Sequence, residues 1–529
     1  MNSFLLYEDR TISTEAAYPS FQDMFKDLNL NIVLKTMAQD DVFLMEQIRS
    51  VMMVPVHTPS VIQYRYDIIR DFCARRELLD AMYRIGRQGC GLAEQYKKDR
   101  EQNRSRSSAG AGAVIAAFRF IEQSLSLLLE LKDSIKGSMD ISGDIPEDVL
   151  GNVSENGSGD EGKAVSHGIR GFYRRLSSYP LEDLEAFHNQ LLFYTTGGEG
   201  IFSIRISGGL KLTRSRLESC RSYKTASLSN ASRKLLRFYY KVIKKDSILV
   251  EDEPLQRDLH TFLDRHIAEL MKIYEPFISD LLTFWLEYGR EISFYKGVNT
   301  LQTRMNELSL PFCYGECRED EGRKEIEDLY ELSLALYVQV RPVPNSLDSG
   351  AVLTVITGAN QGGKSTFLRS FGIAQVLMQC GMPVPASAFR SGLYSRIHTH
   401  FTRKEDAMLS RGRLEEELKR MSGIISRISG DSLLLLNESF ASTTEKEGSQ
   451  IAYDIIMPLY EKKIAVMMVT HLHEFAKRVY EEQLPDSEFL VAERKENGDR
   501  TFRMLRGKPH YSSYGTDLYQ YMIGKIGSN

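Results

Sequence analysis

AVLTVITGANQGGKSTFL, residues 351–368, is the stretch that decides the fold of the later part of this chain. A β-branched apolar run at 352–357 precedes residues 358–365, which have the form G-x-x-x-x-G-K-S/T. An apolar run at 367–378 follows and predicts a helix. A buried parallel strand, a glycine-rich loop and a helix in this order predict a loop that holds phosphate through backbone N–H groups.

The loop residues have separate predicted roles toward a nucleotide. Glycines let the backbone approach phosphate oxygens, and Lys364 supplies a positive charge for the β- and γ-phosphates. Ser365 supplies a hydroxyl for Mg²⁺, so the predicted cofactors are ATP and Mg²⁺. Nine consecutive residues are expected to contact the nucleotide: Gly358, Ala359, Asn360, Gln361, Gly362, Gly363, Lys364, Ser365 and Thr366.

The length and composition are those of a water-soluble protein with more than one domain. The chain has 529 residues and a net charge of −4, which by itself indicates no partner. No apolar stretch approaches the roughly 20 residues that span a bilayer, and no secretory signal is evident. The six cysteines are scattered, and Cys313 and Cys317 lack the further ligands of a structural zinc site. We expect free thiols and a cytoplasmic location, or association with the nucleoid in a bacterium.

Charge is distributed unevenly before residue 250. Residues 137–162 contain seven acidic residues, six glycines and no Lys or Arg, which predicts a flexible loop. Residues 203–245 contain twelve Lys or Arg and one acidic residue, which favours contact with a nucleic acid backbone over a merely solvated face. Alternation around a Gly-Gly at 201–215 predicts a β-hairpin. The candidate DNA-binding residues are Arg205, Lys211, Arg214, Arg216, Lys244 and Lys245.

The predicted fold is mixed. Helical spacing of apolar residues runs through 61–82, 114–131 and 261–288, which predicts a mainly α-helical region. From about residue 340, short apolar runs alternate with helices, which is typical of an α/β domain with a mostly parallel sheet.

Two further apolar runs complete a predicted ATPase site. Residues 432–438 read as a strand that ends in Asn437-Glu438, and Glu438 is placed to activate the attacking water. Asn437 stands where such sites usually carry Asp near the metal, which predicts weaker Mg²⁺ binding or slower turnover. The strand at 464–469 ends in Thr470-His471, and we expect His471 to sense the γ-phosphate. The predicted catalytic residues are thus Glu438, His471 and Lys364.

Together these motifs resemble the ATPase domain of the MutS family, a branch of the ABC-type ATPases. GANQGGKST is similar to that family's G-P-N-x-G-G-K-S-T, and residues 384–386 are similar to its V-P-A turn. The segment at 432–452 keeps Glu438, Thr443 and Gly448 in register with the family pattern. Further similarities lie at Glu405-Asp406, Ser410, Gly412, Glu417-Leu418, residues 470–471 and HYSSYG at 510–515.

The chain departs from the family pattern in three places. Asn437 replaces an Asp, and Ser442 replaces a Gly. The chain begins almost directly in a region similar to the family's helical core, so we expect the mismatch-reading and connector domains to be missing. A Phe-x-Glu match at 120–122 lies in an apolar helix, and we interpret it as core.

The resemblance implies an ABC-type site completed by a second subunit. Gly412, Ser442 and Thr443 would face the partner's nucleotide, so a homodimer is expected. Ser365 and Asn437 would lie near Mg²⁺, Asn437 in its outer coordination sphere. The resemblance and the composition together predict five segments: helical core and lever at 1–136, acidic loop at 137–164, basic clamp at 165–255, returning lever and core helices at 256–340, and P-loop ABC-type ATPase domain at 341–529.

Three functions fit these features. The first is a MutS-like, ATP-dependent clamp on mismatched, branched or otherwise unusual DNA in repair or recombination, reading backbone and shape. The second is an ABC-type ATPase that acts on a partner other than DNA. The third is a nucleotide-gated dimer with little turnover, which Asn437 favours.

Overall fold

The computed structural model describes residues 5–8, 21–104, 109–138, 165–178, 198–207, 211–222, 253–318, 323–402, 412–495 and 499–509. The acidic loop beyond residue 138, Lys244, Lys245, residues 405–410 and the segment 510–515 lie outside these ranges, so the predictions made for them stay predictions.

Helices and strands are both numerous in the described ranges. The helices are α1 (Phe21–Asp27), α2 (Leu30–Ala38), α3 (Val42–Met52), α4 (Pro59–Ala74), α5 (Arg76–Arg104), α6 (Ala109–Ser138), α7 (His167–Ser178), α8 (Glu253–Glu307), α9 (Leu332–Val338), α10 (Lys364–Gln379), α11 (Arg413–Ile425), α12 (Glu445–Glu461) and α13 (His473–Glu481). The strands are β1 (Gly198–Ser207), β2 (Lys211–Ser222), β3 (Glu316–Cys317), β4 (Lys324–Leu329), β5 (Asn345–Ser349), β6 (Leu353–Thr357), β7 (Ala388–Ser391), β8 (Arg396–Phe401), β9 (Ser432–Asn437), β10 (Ala465–Val469), β11 (Ser487–Arg494) and β12 (Arg500–Arg506).

One compact unit comprises residues 1–5 and 74–292 and is mainly helical. In it, α5 and α8 approach so closely that a Cβ added to Gly89 would lie only 2.0 Å from Cε3 of Trp285. The Cys90 thiol donates to the Trp285 carbonyl at 3.1 Å, and the Tyr288 hydroxyl donates to the Met82 carbonyl at 3.0 Å. The helices predicted at 114–131 and 261–288 are confirmed, because these residues lie within α6 and α8.

The same unit contains the basic hairpin and the Phe-x-Glu segment. Strands β1 and β2 pair antiparallel, which confirms the predicted hairpin. Phe120 is 3% exposed, and its ring stacks on that of Tyr96 with centroids 4.9 Å apart. Phe120 is therefore a core residue, as interpreted from the sequence.

The second unit comprises residues 6–73 and 293–529 and contains two mixed sheets. The larger sheet has the order β12-β11-β6-β10-β9-β8, and only β12 runs antiparallel to its neighbour. The smaller sheet has the order β3-β7-β4-β5. The mostly parallel sheet predicted after residue 340 is thus present, and the central β6 leads directly into the phosphate loop.

Residues 52–65 hold the C-terminal end of α10 within this unit. The backbone N–H of Val56 donates to the Gln379 carbonyl at 2.7 Å, and the Gln379 side chain donates back to the Val56 carbonyl at 3.1 Å. Arg65 is fully buried and donates to the Cys380 carbonyl at 2.8 Å. A cation at a helix C-terminus is favourable because the last carbonyls carry partial negative charge. The phosphate loop therefore leads into a helix with a fixed far end.

The described ranges contain neither a membrane-spanning helix nor a cluster of metal-binding side chains. None of the described helices combines the length and the apolar character of a membrane span. Among the described side chains, no group of three or more His, Cys, Asp or Glu residues is arranged to hold a metal ion. None of the described cysteines, Cys73, Cys90, Cys313, Cys317 and Cys380, forms a disulfide.

His398 on β8 makes the stability of this unit sensitive to acid. The side chain is 2% exposed and neither ring nitrogen has a hydrogen-bond partner. Burial, together with Arg396 and Arg427, lowers the pKa of His398 from 6.5 to about 4. Below pH 6.5 the unfolded chain takes up a proton that the folded chain does not, so stability falls as the pH falls. We expect the free energy of unfolding to fall by about 2 kcal/mol between pH 7 and pH 5.

Urea unfolding of the wild type and of His398→Leu at both pH values measures this effect. The His398→Leu variant should lose that part of the pH dependence, whereas His57→Leu, at an exposed histidine, should keep it. Equal acid sensitivity in wild type and His398→Leu would contradict the assignment.

Candidate nucleotide site

The phosphate loop has the backbone that its glycines predict. Gly358 and Gly363 have φ values of +118° and +90°, a region that residues with side chains rarely adopt. A Cβ on Gly362 would lie 2.8 Å from the Ala492 Cβ and 3.0 Å from the Ala359 carbonyl oxygen. Glycine is thus required at three positions of the loop, by conformation at two and by close contact at the third.

Lys364 lies at the start of α10 and points back into the loop. Its ammonium donates to the carbonyls of Gly358 and Ala359, both at 2.9 Å, and the residue is 4% exposed. Burial lowers the pKa of Lys364, Glu438 opposes that shift, and Arg500 adds to it. Lys364 is therefore a largely desolvated cation inside the loop, where it can bind a phosphate oxygen strongly.

Glu438 and His471 follow neighbouring strands and meet. Strand β10 pairs with both β6 and β9, so the carboxyl ends of these three strands lie side by side. The Nε2 of His471 lies 3.0 Å from Oε1 of Glu438. The hydrogen bond from His471 is the main cause that lowers the pKa of Glu438, with a further contribution from Lys364, while burial opposes the shift. An ionised carboxylate thus lies close enough to the loop lysine to interact with its charge.

The backbone around Glu438 is fixed on both sides. Glu438 has a φ of +55°, its N–H donates to the Val469 carbonyl at 2.8 Å, and its carbonyl accepts from the Thr402 hydroxyl at 2.7 Å. A left-handed conformation in a non-glycine residue is uncommon and is found where surrounding contacts enforce it.

Asn437 has the features of an unused oxygen ligand. Its Oδ1 atom is buried and has no hydrogen-bond partner, although it ends a strand beside Glu438. Buried amide oxygens are normally paired, so an unpaired one indicates a place for a ligand or water. The Ser365 hydroxyl lies in the first turn of α10, and hydroxyl and amide oxygens are ligand types that suit Mg²⁺.

A cavity of about 450 Å³ adjoins the phosphate loop. Gln361, Gly363 and Thr366 line it on the loop side, and Phe502 lines it beside Gly363, with its Cβ 3.4 Å from the position of a Cβ on Gly363. Phe502 has a φ of +60°, and the Asn345 side chain holds this conformation. Its amide nitrogen donates to the Phe502 carbonyl at 3.2 Å, and its amide oxygen accepts from the Met504 N–H at 2.7 Å. The cavity is mostly apolar and borders the loop, so it has the character of a site for a flat heterocyclic ring.

The residues predicted to face a second subunit are located as follows. Gly412 is the N-cap of α11. The Ser442 hydroxyl donates to Oε1 of Glu417 at 3.0 Å, and the Thr443 hydroxyl donates to Glu447. The predicted contacts of Gly412, Ser442 and Thr443 with a partner's nucleotide stay predictions. Asn360, predicted among the loop residues that contact the nucleotide, is exposed.

The structure places the hairpin residues in register and adds residues that the sequence did not single out. Arg205 lies opposite Arg214, and Lys211 lies opposite Ser207. Sequence reasoning missed Arg500, whose guanidinium donates to the Gln361 side chain at 2.6 Å. It also missed Thr402, which follows an edge strand without any recognisable motif.

Comparison with known proteins agrees with this geometry. Residues 354–522 match the family model described as MutS domain V. Residues 354–522 are thus similar to a MutS domain V. The matched MutS domain V includes the phosphate loop from Gly358 onward, Glu438 and His471, so the three parts of the candidate site lie inside it.

Individual relatives are similar to part of this chain. "Endonuclease MutS2" of Streptococcus sanguinis is 32% identical over 153 residues, which is 28% of this chain and 20% of that protein. "DNA mismatch repair protein MutS" of Thermus aquaticus is 32% identical over 179 residues, 33% of this chain and 22% of that protein. "Probable DNA mismatch repair protein Msh6" of Drosophila melanogaster is 33% identical over 135 residues, 25% of this chain and 11% of that protein. The chain thus spans about a fifth or less of these relatives.

Proposed function

We propose that this protein hydrolyses ATP at the phosphate loop and uses the cycle to control its grip on DNA. The observation that carries the proposal is the meeting of Glu438 and His471 after β9 and β10, beside the phosphate loop with Lys364 that follows the adjacent β6. The 450 Å³ cavity beside Gln361 is proposed to hold the base. Mg²⁺, when bound, would neutralise phosphate charge, with Ser365 and Asn437 as its nearest oxygen donors.

The proposed chemistry assigns one role to each residue. Lys364 binds the β- and γ-phosphates by exchanging its contacts with the two loop carbonyls for phosphate oxygens. Glu438, kept ionised by its lowered pKa, orients the attacking water and accepts its proton. His471 donates to Glu438 and thereby fixes the carboxylate, and it remains our candidate to sense the γ-phosphate.

DNA is the proposed partner because two independent features favour it. Residues 203–245 carry a net charge of +11, and Arg205 and Arg214 lie opposite each other in a hairpin. Two of the relatives are named DNA mismatch repair proteins, although the chain covers a small part of each. The substrate we propose is mismatched, branched or otherwise unusual DNA, bound by a homodimer in repair or recombination. Cytoplasmic location stays a prediction.

Filter binding tests the DNA proposal. Duplex, mismatched, junction DNA and RNA should be compared with and without ATP, at salt concentrations from about 50 to 200 mM. We expect retention of DNA at low salt, with a slope of roughly −0.9 log units per log salt for each neutralised phosphate. Arg205→Ala should reduce that slope, whereas Lys477→Ala, on α13, should not. Retention of RNA alone, or of no nucleic acid at low salt, would contradict the proposal in favour of an ATPase with another partner.

A nucleotide-gated dimer with little turnover is the second candidate function, because Asn437 supplies a neutral oxygen near the metal. We expect Asn437→Asp to raise the hydrolysis rate and to lower the Mg²⁺ concentration for half-maximal rate by roughly tenfold, since a carboxylate binds Mg²⁺ more strongly than an amide. Phosphate release measured across a Mg²⁺ series checks this.

Asn306→Asp is the matched control, because it makes the same change at an exposed position on α8. An unchanged or lower rate in Asn437→Asp would mean that Asn437 does not limit turnover.

A further inference from the structure

The turn after β9 contains two left-handed residues that are not glycine. Glu438 has a φ of +55° and Phe440 a φ of +66°. Each such residue carries a conformational cost, so contacts from outside the turn must maintain it. Because the turn sets the direction of the Glu438 side chain, the groups that hold the turn also hold the proposed catalytic carboxylate.

Glu417 on α11 is one of these groups. It is 3% exposed, and its Oε2 accepts from the Phe440 N–H at 3.1 Å while its Oε1 accepts from the Ser442 hydroxyl at 3.0 Å. Both carboxylate oxygens are therefore bound to the turn. A buried carboxylate is costly unless its oxygens are satisfied, and bonds to an ionised acceptor are stronger than neutral ones.

His400 on β8 connects the same helix to the residue next to Glu438. The imidazole is fully buried, with Nδ1 2.7 Å from the Ser439 hydroxyl and Nε2 3.2 Å from the Glu417 carbonyl. A carbonyl oxygen only accepts, so Nε2–H donates to the Glu417 carbonyl, and the Ser439 hydroxyl also donates to the His400 carbonyl at 3.0 Å. The His400 ring also stacks on Phe440, with centroids 5.9 Å apart. Ser439, Phe440 and Ser442 are thus all held by groups outside the turn.

We propose that Glu417 is a positioning residue that couples α11 to the catalytic conformation of Glu438. The inference rests on the proposed ATPase function and adds a regulatory element to it. A shift of α11 moves the Glu417 carboxylate, releases Phe440 and Ser442, and lets the strained turn relax, which withdraws Glu438 from His471. Since α11 begins at Gly412, the helix that is proposed to face a second subunit is the one that sets Glu438 in its own chain.

Glu417→Gln tests this proposal in the full-length chain. The amide keeps the shape but removes the charge: its oxygen can still accept from the Phe440 N–H, while its N–H₂ group replaces the acceptor that faces Ser442, so both contacts lose their charge assistance. We expect kcat to fall roughly 10- to 100-fold, with KM and the Kd for a non-hydrolysable ATP analogue changed by less than about twofold. Glu416→Gln, which removes the same charge from the same turn of α11, should leave kcat unchanged.

Combination with Glu438→Gln separates positioning from a general structural effect. If Glu417 acts through Glu438, the double variant should hydrolyse ATP in a single turnover at the same residual rate as Glu438→Gln alone. A merely structural role would weaken analogue binding, lower Tm and reduce hydrolysis in both backgrounds. That result would overturn the proposal.

Hydrogen exchange provides a readout that does not require hydrolysis. In nucleotide-free protein, a peptide covering residues 438–442 should exchange faster in Glu417→Gln than in wild type, with exchange in β9 unchanged. Should Glu417→Gln fail to fold, Ser439→Ala removes the hydroxyl beside Glu438 and should accelerate exchange in the same peptide. Absence of hydrolysis in wild type would overturn the proposed ATPase function alone, whereas unchanged exchange in both variants would overturn the role of Glu417.

Discussion

Replacement of Lys364 by alanine is expected to abolish ATP binding and hydrolysis. Lys364 is 4% exposed, contacts two loop carbonyls and is the only Lys or Arg within residues 358–365. Its removal leaves the triphosphate without a direct cationic contact in a desolvated loop, where charge-assisted bonds are strong. We expect ATP affinity to fall by at least about a hundredfold.

Titration with a fluorescent ATP analogue and a phosphate-release assay measure this loss. Lys477→Ala is the matched control, since Lys477 lies on the exposed face of α13 and pairs with Glu481 at 3.8 Å. The thermal unfolding midpoint of Lys364→Ala should stay near the wild-type value. ATP affinity equal to that of wild type would exclude the loop as the nucleotide site.

Glu438→Gln is expected to separate ATP binding from hydrolysis. The substitution keeps the side-chain shape and the contact with His471, but it removes the carboxylate that accepts a proton from water. General base catalysis contributes about 10²- to 10⁴-fold, so the hydrolysis rate should fall by that range while ATP affinity stays close to wild type. Because bound ATP is hydrolysed more slowly, the variant should also stay longer in its ATP-bound state.

Single-turnover hydrolysis with radiolabelled ATP measures this effect. Glu461→Gln, at an exposed position at the end of α12, is the control and should hydrolyse at the wild-type rate. A Glu438→Gln variant that hydrolyses ATP normally would show that another group activates the water, and one that binds no ATP would give Glu438 a binding role.

The sequence predicted the elements that carry a local pattern. The phosphate loop lies between a strand and a helix close to the predicted bounds, and β9 and β10 match the apolar runs at 432–438 and 464–469. These predictions succeeded because glycine spacing and continuous apolar runs are set by neighbours in the chain. The prediction of helical structure at 61–82 was less accurate, because the structure divides this segment at Arg75 into α4 and α5.

Contacts between distant segments could not be read from local patterns. Arg65 in an otherwise apolar helical stretch gave no sign that it would bind the carbonyl of Cys380, 315 residues later. Glu417 was noticed only as part of a signature-like helix, although both of its oxygens bind the turn after Glu438. Such contacts depend on strand order and helix packing, which a single sequence does not specify.

The grouping of the chain was equally inaccessible. Residues 6–73 form one compact unit with residues 293–529, a grouping that no local pattern in the sequence indicates. Helical periodicity predicts that a segment buries one face but does not predict which surface covers it.

Calorimetric titration of ATP into the purified chain, in buffer with Mg²⁺, tests the central claim most directly. The expected result is a saturable binding heat that disappears in Lys364→Ala and persists in Glu438→Gln. Absence of saturable heat in wild type, or equal heat in wild type and Lys364→Ala, would contradict the assignment of residues 358–366 as a nucleotide site.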